Sequence, residues 1–305
     1  MAKKAELDVD GRKLAVSNLD KVLYPEAGFT KGQVIDYYIR IAPVLLPHLR
    51  DRPITLKRYP DGVDGFFFYE KQCPSHRPKW LKTTRVPASR DPGHIDYCVI
   101  NDLPALVWAA NLADLELHTF LHRAPGITRP TVLAFDLDPG APADFVQCCR
   151  VGLWLREAFA EFDLECFPKT SGSKGLQVFV PLNSATTYEK TKTFAQSMAI
   201  AMEQAHPDLV VSRMQKSLRK GKVLIDWSQN DDHKTTICVY SLRAKAEPTV
   251  STPLTWEEVE RAWKRKKTLS FTSEEALQRV EKLGDLFEPV LSLKQRLPKH
   301  ALVNE

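Results

Sequence analysis

The chain has 305 residues, 43% hydrophobic and 27% charged, and its 43 Lys and Arg against 38 Asp and Glu leave a net charge of +5. That balance suits a globular chain with a sizeable core and excludes a disordered or collagen-like one; the mild positive excess permits a polyanionic partner without demanding one. No apolar run approaches the ~20 residues of a membrane span and MAKKAELDVDG lacks an apolar signal core, so no membrane is expected and a cytoplasmic location is.

Periodicity predicts a helix over 31–49, strands at ITLKRY, GFFFYE and IDYCVI, a helix through LPALVWAANLA and a short strand at LELH. A strand ending at Asp136 follows, then a helix over about 143–161, strands at LECFPK and LQVFVPL, and a helix over 188–205. KVLIDW and TICVYSL read as strands, and helix dominates after Thr255, the expected N-cap of TWEEVE. Without regular βαβ repetition the mixture predicts an α+β chain, one compact unit over 1–294 with a polar tail over 295–305. Cys73, Cys98, Cys148, Cys149, Cys166 and Cys238 include no C-x-x-C pair, which predicts free, packed thiols in a reducing compartment and no zinc site.

In TVLAFDLDPG, Asp136 and Asp138 share one face of a strand while Leu137 takes the other. Two carboxylates side by side repel unless a cation lies between them, and Mg²⁺ or Mn²⁺ suits such oxygen ligands. The same D-x-D before Pro-Gly also serves as a plain strand terminator. Asp226, at the end of KVLID, adds a third strand-end carboxylate, and three of these match a two-metal phosphoryl-transfer site.

Between these acids lies KTSGSKGLQVFVPL. Gly172 and Gly175 would let backbone N–H groups approach an anion, with Ser171 and Lys174 adding a donor and a charge. It is not a Walker A loop, since a strand rather than a helix follows, and a polar hairpin is the other reading. Lys57, His118 and Arg243 sit at or near strand ends and are further candidates for a triphosphate. KRYPDG imitates a nucleotidyl-acceptor K-x-D-G, but Lys57 stands four residues before Asp61, which removes an adenylated lysine. The basic stretch SRMQKSLRKGK, with Arg213, Lys216, Arg219, Lys220 and Lys222, suits a nucleic-acid backbone or a solvated loop, and RAWKRKKT an exposed helix face.

In this order, LAFDLDPG, SGSKGLQVFVPL, VLIDWSQN, YSLRAKAEPTVSTPLTWEEV and LGDLFEPVLSLKQRLP resemble the polymerase domain of bacterial DNA ligase D, within the archaeo-eukaryotic primase superfamily, over nearly the whole chain. The resemblance implies a primase-like core and addition of ribo- or deoxyribonucleotides to a primer 3′-hydroxyl at gaps and breaks in non-homologous end joining. It implies two divalent cations, Mn²⁺ or Mg²⁺, on Asp136, Asp138 and Asp226. It implies nucleotide contacts from Lys57, Phe67, Phe68, His118, Ser171, Lys174, Gln177 and Arg243, with Phe67 and Phe68 as the base platform among residues 66–69. A 5′-phosphate pocket on the downstream strand would use Asn18, Lys21 and Lys31. The implied partners are gapped or broken DNA, nucleoside triphosphates, the Ku protein and a ligase portion of the same or another chain, at the nucleoid. One departure stands out: Gln177 replaces a histidine found in many members, and Gln carries neither charge nor a transferable proton. Two other classes fit the acids or the phosphate pocket alone, a D-x-D glycosyltransferase and a non-catalytic module that recognises DNA ends.

Overall fold

The structure, a computed structural model, describes residues 4–88 and 93–298. The first part of the chain runs β1 (Lys4–Val9), β2 (Arg12–Ser17), β3 (Val22–Tyr24), β4 (Phe29–Thr30), α1 (Lys31–Leu49), β5 (Pro53–Arg58), β6 (Phe68–Glu70), β7 (Thr83–Pro87), β8 (His94–Val99), α2 (Leu103–Asn111) and β9 (Asp114–Thr119). Next come β10 (Val132–Pro139), α3 (Phe145–Ala160), β11 (Phe167–Thr170), β12 (Leu176–Pro181), α4 (Tyr188–Ala205), β13 (Val210–Val211) and β14 (Val223–Asp226). The chain ends through β15 (Thr236–Ile237), α5 (Trp256–Arg265), α6 (Ser273–Leu283) and α7 (Pro289–Ser292).

These elements form two compact units. The first comprises Met1–Pro125, Thr235–Ser251 and Phe271–Gly284, the second Gly126–Lys234, Thr252–Ser270 and Asp285–Glu305. The segments interleave, so no single linker separates them, which is why composition marks no boundary.

In the first unit a sheet of order β15-β9-β5-β8-β7 carries β6 as an extra partner of β5. Helix α1 starts where the sequence places it because Thr30 and Gln33 close a reciprocal capping box, and its buried face includes Val34, Tyr37, Tyr38, Ile41 and Leu45. The expected strand over 236–242 is cut short. Only Thr236–Ile237 pair with β9, and Tyr240 then takes a φ of 62° as the chain turns. Cys73 and Cys98 form a disulfide, a correction to the expectation of six free thiols; the other four cysteines are free and buried. The pairing joins the loop after β6 to β8, two segments whose proximity no local pattern reveals.

The second unit is built on a sheet of order β11-β12-β10-β14-β13, antiparallel except for β13 with β14. Helix α3 covers one face. A Cβ on Gly152 would lie 2.7 Å from Leu176 and 3.8 Å from Leu137, so glycine lets the helix lie close on the sheet. Gln295, expected in a polar tail, is tied down: its N–H donates to Leu182 O and its side chain to Glu165 O and Pro181 O. The remainder of the expected tail from residue 299 lies outside the described residues. Among the described residues no helix is long and apolar enough to cross a membrane.

Candidate active site

The central strand β10 brings the acids of the second unit together. Asp136 stands opposite Asp226 of β14, and Asp138 follows two residues along. Opposite residues of an antiparallel pair share a face, as do residues two apart, so all three carboxylates lie on the face away from Leu137 and α3. Convergence of Asp226 with the other two, which the sequence could only suggest, is a consequence of this register.

Each acid has a different environment. Asp226 caps the turn Trp227–Gln229: its Oδ1 accepts from Ser228 N at 2.9 Å and from Ser228 Oγ, and its Oδ2 from Gln229 Nε2 at 2.8 Å. Asp138 is exposed at the strand end. Asp136 is the strained member. Its Oδ1 is buried without a hydrogen-bond partner, and burial, then the charges of Asp138 and Asp226, push its pKa from 3.8 up to about 7. A carboxylate row that disfavours its own ionisation in this way fits a bound divalent cation, which would reverse every one of those repulsions.

The loop Ser171–Gly175 lies directly against β10. A Cβ on Gly175 would meet Leu137 O at 2.1 Å, so only glycine permits this approach. Ser171 Oγ accepts from the N–H groups of Ser173 and Gly175 and holds the loop closed, Gly172 takes a φ of 69°, and Lys174 is exposed. Gln177 is 2% exposed, accepts from Lys169 and hydrogen-bonds Asp136. The basic stretch is clamped just past the same C-terminal end of β10, where Gly140 N–H donates to Lys222 O and Gly221 N–H to Gly140 O. Its Arg213, Arg219 and Lys222 find internal partners, leaving Lys216 and Lys220 as exposed charges.

In the first unit the cations gather on a residue that the sequence reading missed, Glu116. Its Oε2 accepts from Lys57 Nζ at 3.1 Å and from His118 Nε2 at 3.0 Å, while its Oε1 accepts from Ala244 N–H at 3.1 Å and lies 3.3 Å from Arg243 Nε. Burial alone would raise the carboxyl pKa, but His118, Arg243 and Lys57 pull it far below the carboxylate range. Burial lowers the pKa of His118, with Glu116 acting against it. The alternation of LELH, with Glu116 and His118 on one face, was the available signal.

Lys57 also lies 4.9 Å from the Phe67 ring and 5.4 Å from Tyr69, and Tyr59 stacks on Phe67 at 5.2 Å. Phe68 instead stacks with Phe66 and carries Arg58 at 5.2 Å. Phe67 and Phe68 thus sit among different neighbours. Neighbours in an extended segment point to opposite sides, so Phe67 pairs with Tyr69 on the Lys57 side, and strand pairing begins only at Phe68.

Asn18, Lys21 and Lys31 meet at one turn. Asn18 takes a φ of 55°, Lys21 N–H donates to Asn18 O, and Lys31, the first residue of α1, donates backbone N–H to Lys21 O and Nζ to Ser17 O at 2.7 Å. Lys21 Nζ binds Asp61 at 3.0 Å. Burial, then the nearby Lys21 and Arg58, lower the Lys31 pKa to about 8, as expected where an anion would be welcome.

Residues 30–287 match the family model for the primase-polymerase domain of LigD. The chain is 43% identical over 280 residues to the multifunctional non-homologous end joining protein LigD of Mycolicibacterium smegmatis, covering 91% of this chain and 36% of that protein. It is 31% identical over 294 residues to the bifunctional LigD of Bacillus subtilis, covering 96% and 46%. Its fold matches the polymerase domain from Mycobacterium tuberculosis ligase D, solved in complex with DNA, with a TM-score of 0.86 and 40% identity over 92% of this chain and 99% of that one. The chain thus spans between about a third and a half of the length of these curated relatives. Fold and sequence together place the chain in a class of metal-dependent nucleotidyltransferase domains with a primase-like α+β core. The chain belongs to the LigD primase-polymerase domain family.

Proposed function

We propose that this chain extends a primer 3′-hydroxyl with ribo- or deoxyribonucleotides at gaps and broken DNA ends, as the polymerase step of non-homologous end joining. The observation that carries the reading is Asp136: a buried carboxyl with one unpartnered oxygen, held beside Asp138 and Asp226, is costly to the fold and makes sense where two divalent cations, Mn²⁺ or Mg²⁺, are held. Bound there, the cations would activate the 3′-hydroxyl and offset the triphosphate charge. Asp136, Asp138 and Asp226 would hold them, Asp226 standing opposite Asp136 and Asp138 two residues further along β10. In the same reading Ser171 and Lys174, and Lys57, His118 and Arg243, bind the triphosphate, while Phe67 and Tyr69 offer the base a stacking face.

Asn18, Lys21 and Lys31 are assigned to the 5′-phosphate of the downstream strand. DNA in the M. tuberculosis relative supports a DNA substrate here. Ku and a ligase portion, at the nucleoid, are the partners that end joining would require. A glycosyltransferase is excluded by the family. A non-catalytic end-binding module has no use for a strained acid row.

The test is primer extension on gapped duplexes with and without a 5′-phosphate, in Mn²⁺ or Mg²⁺. Asp136→Ala and Asp226→Ala should abolish extension and leave DNA binding measurable. Wild-type extension by either variant would refute the assignment, and binding without extension by the native chain would favour the end-binding module.

A further inference from the structure

Four strands of the second unit place one row of polar side chains across the sheet. Lys169 of β11 stands opposite Gln177 of β12, Gln177 opposite Asp136 of β10, and Asp136 opposite Asp226 of β14. Opposite residues of antiparallel strands share a face, so the four side chains follow one another along it. Lys169 is 0% exposed; its ammonium donates to Gln177 Oε1 and lies 5.2 Å from the Phe179 ring. No sequence signal distinguished this lysine from the others.

A primary amide has two orientations related by a flip, with the carbonyl and the NH₂ exchanging places. Here the ammonium takes the carbonyl end, so the NH₂ end is the one turned to Asp136, with which Gln177 hydrogen-bonds. The flipped amide would face oxygen to oxygen with the carboxylate and NH₂ to ammonium, and both contacts repel. With one carboxylate oxygen engaged by the amide, Oδ1 remains as the buried, unpartnered one.

We propose that Lys169 is a positioning residue for the cation site: acting through the Gln177 amide, it sets which oxygen of Asp136 is offered to a divalent cation. It is not itself a ligand. It does for the carboxylate what outer-shell partners do for ligands generally, and loss of such a partner typically weakens metal binding by roughly 10–100-fold. A glutamine at 177 is what makes the lysine matter, because an amide needs a partner at each end to hold one orientation. The inference rests on Asp136 being a cation ligand, as assigned above.

The test is isothermal titration of the full chain with Mn²⁺ alone, without nucleotide or DNA, on the native protein, Lys169→Met, Gln177→Met and Asp136→Ala, each with its melting curve. Lys169→Met and Gln177→Met should bind Mn²⁺ roughly tenfold more weakly or worse while still melting cooperatively. Binding within twofold of native, or tighter, overturns the inference. If Lys169→Met does not fold, Gln177→Met decides by the same threshold. Asp136→Ala separates the two levels: native-like Mn²⁺ binding by that variant defeats the ligand assignment, whereas its loss of binding with both Met variants unaffected defeats only the role of Lys169.

Discussion

Replacing Asp136 by Asn should stabilise the metal-free protein. The carboxyl of Asp136 titrates at 3.8 when unperturbed and at about 7 in the fold, driven up by burial and by Asp138 and Asp226. At roughly 1.4 kcal/mol per pH unit the gap is worth about 4 kcal/mol, an upper bound because the site relaxes. The sign follows from which state holds the proton. Below pH 4 both folded and unfolded chains are protonated and the group is neutral to stability. Between about 4 and 7 the folded chain keeps a proton that the unfolded chain releases, so stability falls as pH rises, and above 7 the full penalty is present. The amide removes it. With an unfolding entropy of about 2.1 cal/mol/K per residue, 2–4 kcal/mol corresponds to a rise in Tm of about 3–6 °C for a chain of this length. The assay is thermal melting in chelator from pH 4 to 8: the Asp136→Asn variant and the native protein should melt together at pH 4 and separate by that amount at pH 8. Saturating Mn²⁺ should close or reverse the difference, because only the native site gains binding energy, about 2.7 kcal/mol at a hundredfold excess over Kd. A variant that melts at or below native at pH 8 in chelator would refute the argument that the site is strained towards a cation.

Glu116→Ala should cost about 3 kcal/mol in stability, read by denaturant melting, and should raise the KM for nucleotide, because Lys57, His118 and Arg243 lose the carboxylate that organises them. Gly175→Ala would drive a Cβ to 2.1 Å from Leu137 O and should cost about 1–3 kcal/mol, whereas Gly93→Ala, with nothing within 4 Å, should be neutral in the same melts. The preference for 5′-phosphorylated gaps should weaken as pH rises past about 8, since Lys31 titrates there before DNA binds and only its charged form attracts phosphate; equilibrium binding of phosphorylated and unphosphorylated gaps from about pH 7 to 9.5 checks this. A preference that held constant over that range would remove Lys31 from the pocket.

Local chemistry made several features legible before any coordinates. Helix α1 and helix α4 were readable because their apolar spacing lies within the segment itself. Asp136 and Asp138 announced a shared face because strand alternation is local, and SGSKG announced a tight loop because Gly172 and Gly175 bracket a short polar run. What the sequence could not decide was everything set by pairing between distant segments. The register of β10 with β14 determines that Asp226 faces Asp136, and the registers of β12 with β10 and with β11 set Gln177 between Asp136 and Lys169. Glu116 gains its role only when the turn after β15 brings Arg243 and Ala244 beside β9. The Cys73–Cys98 pairing has the same origin. Periodicity tells which way a side chain points from its own strand; the partner it meets depends on which strand folds alongside and in what register, and that is a property of the whole chain.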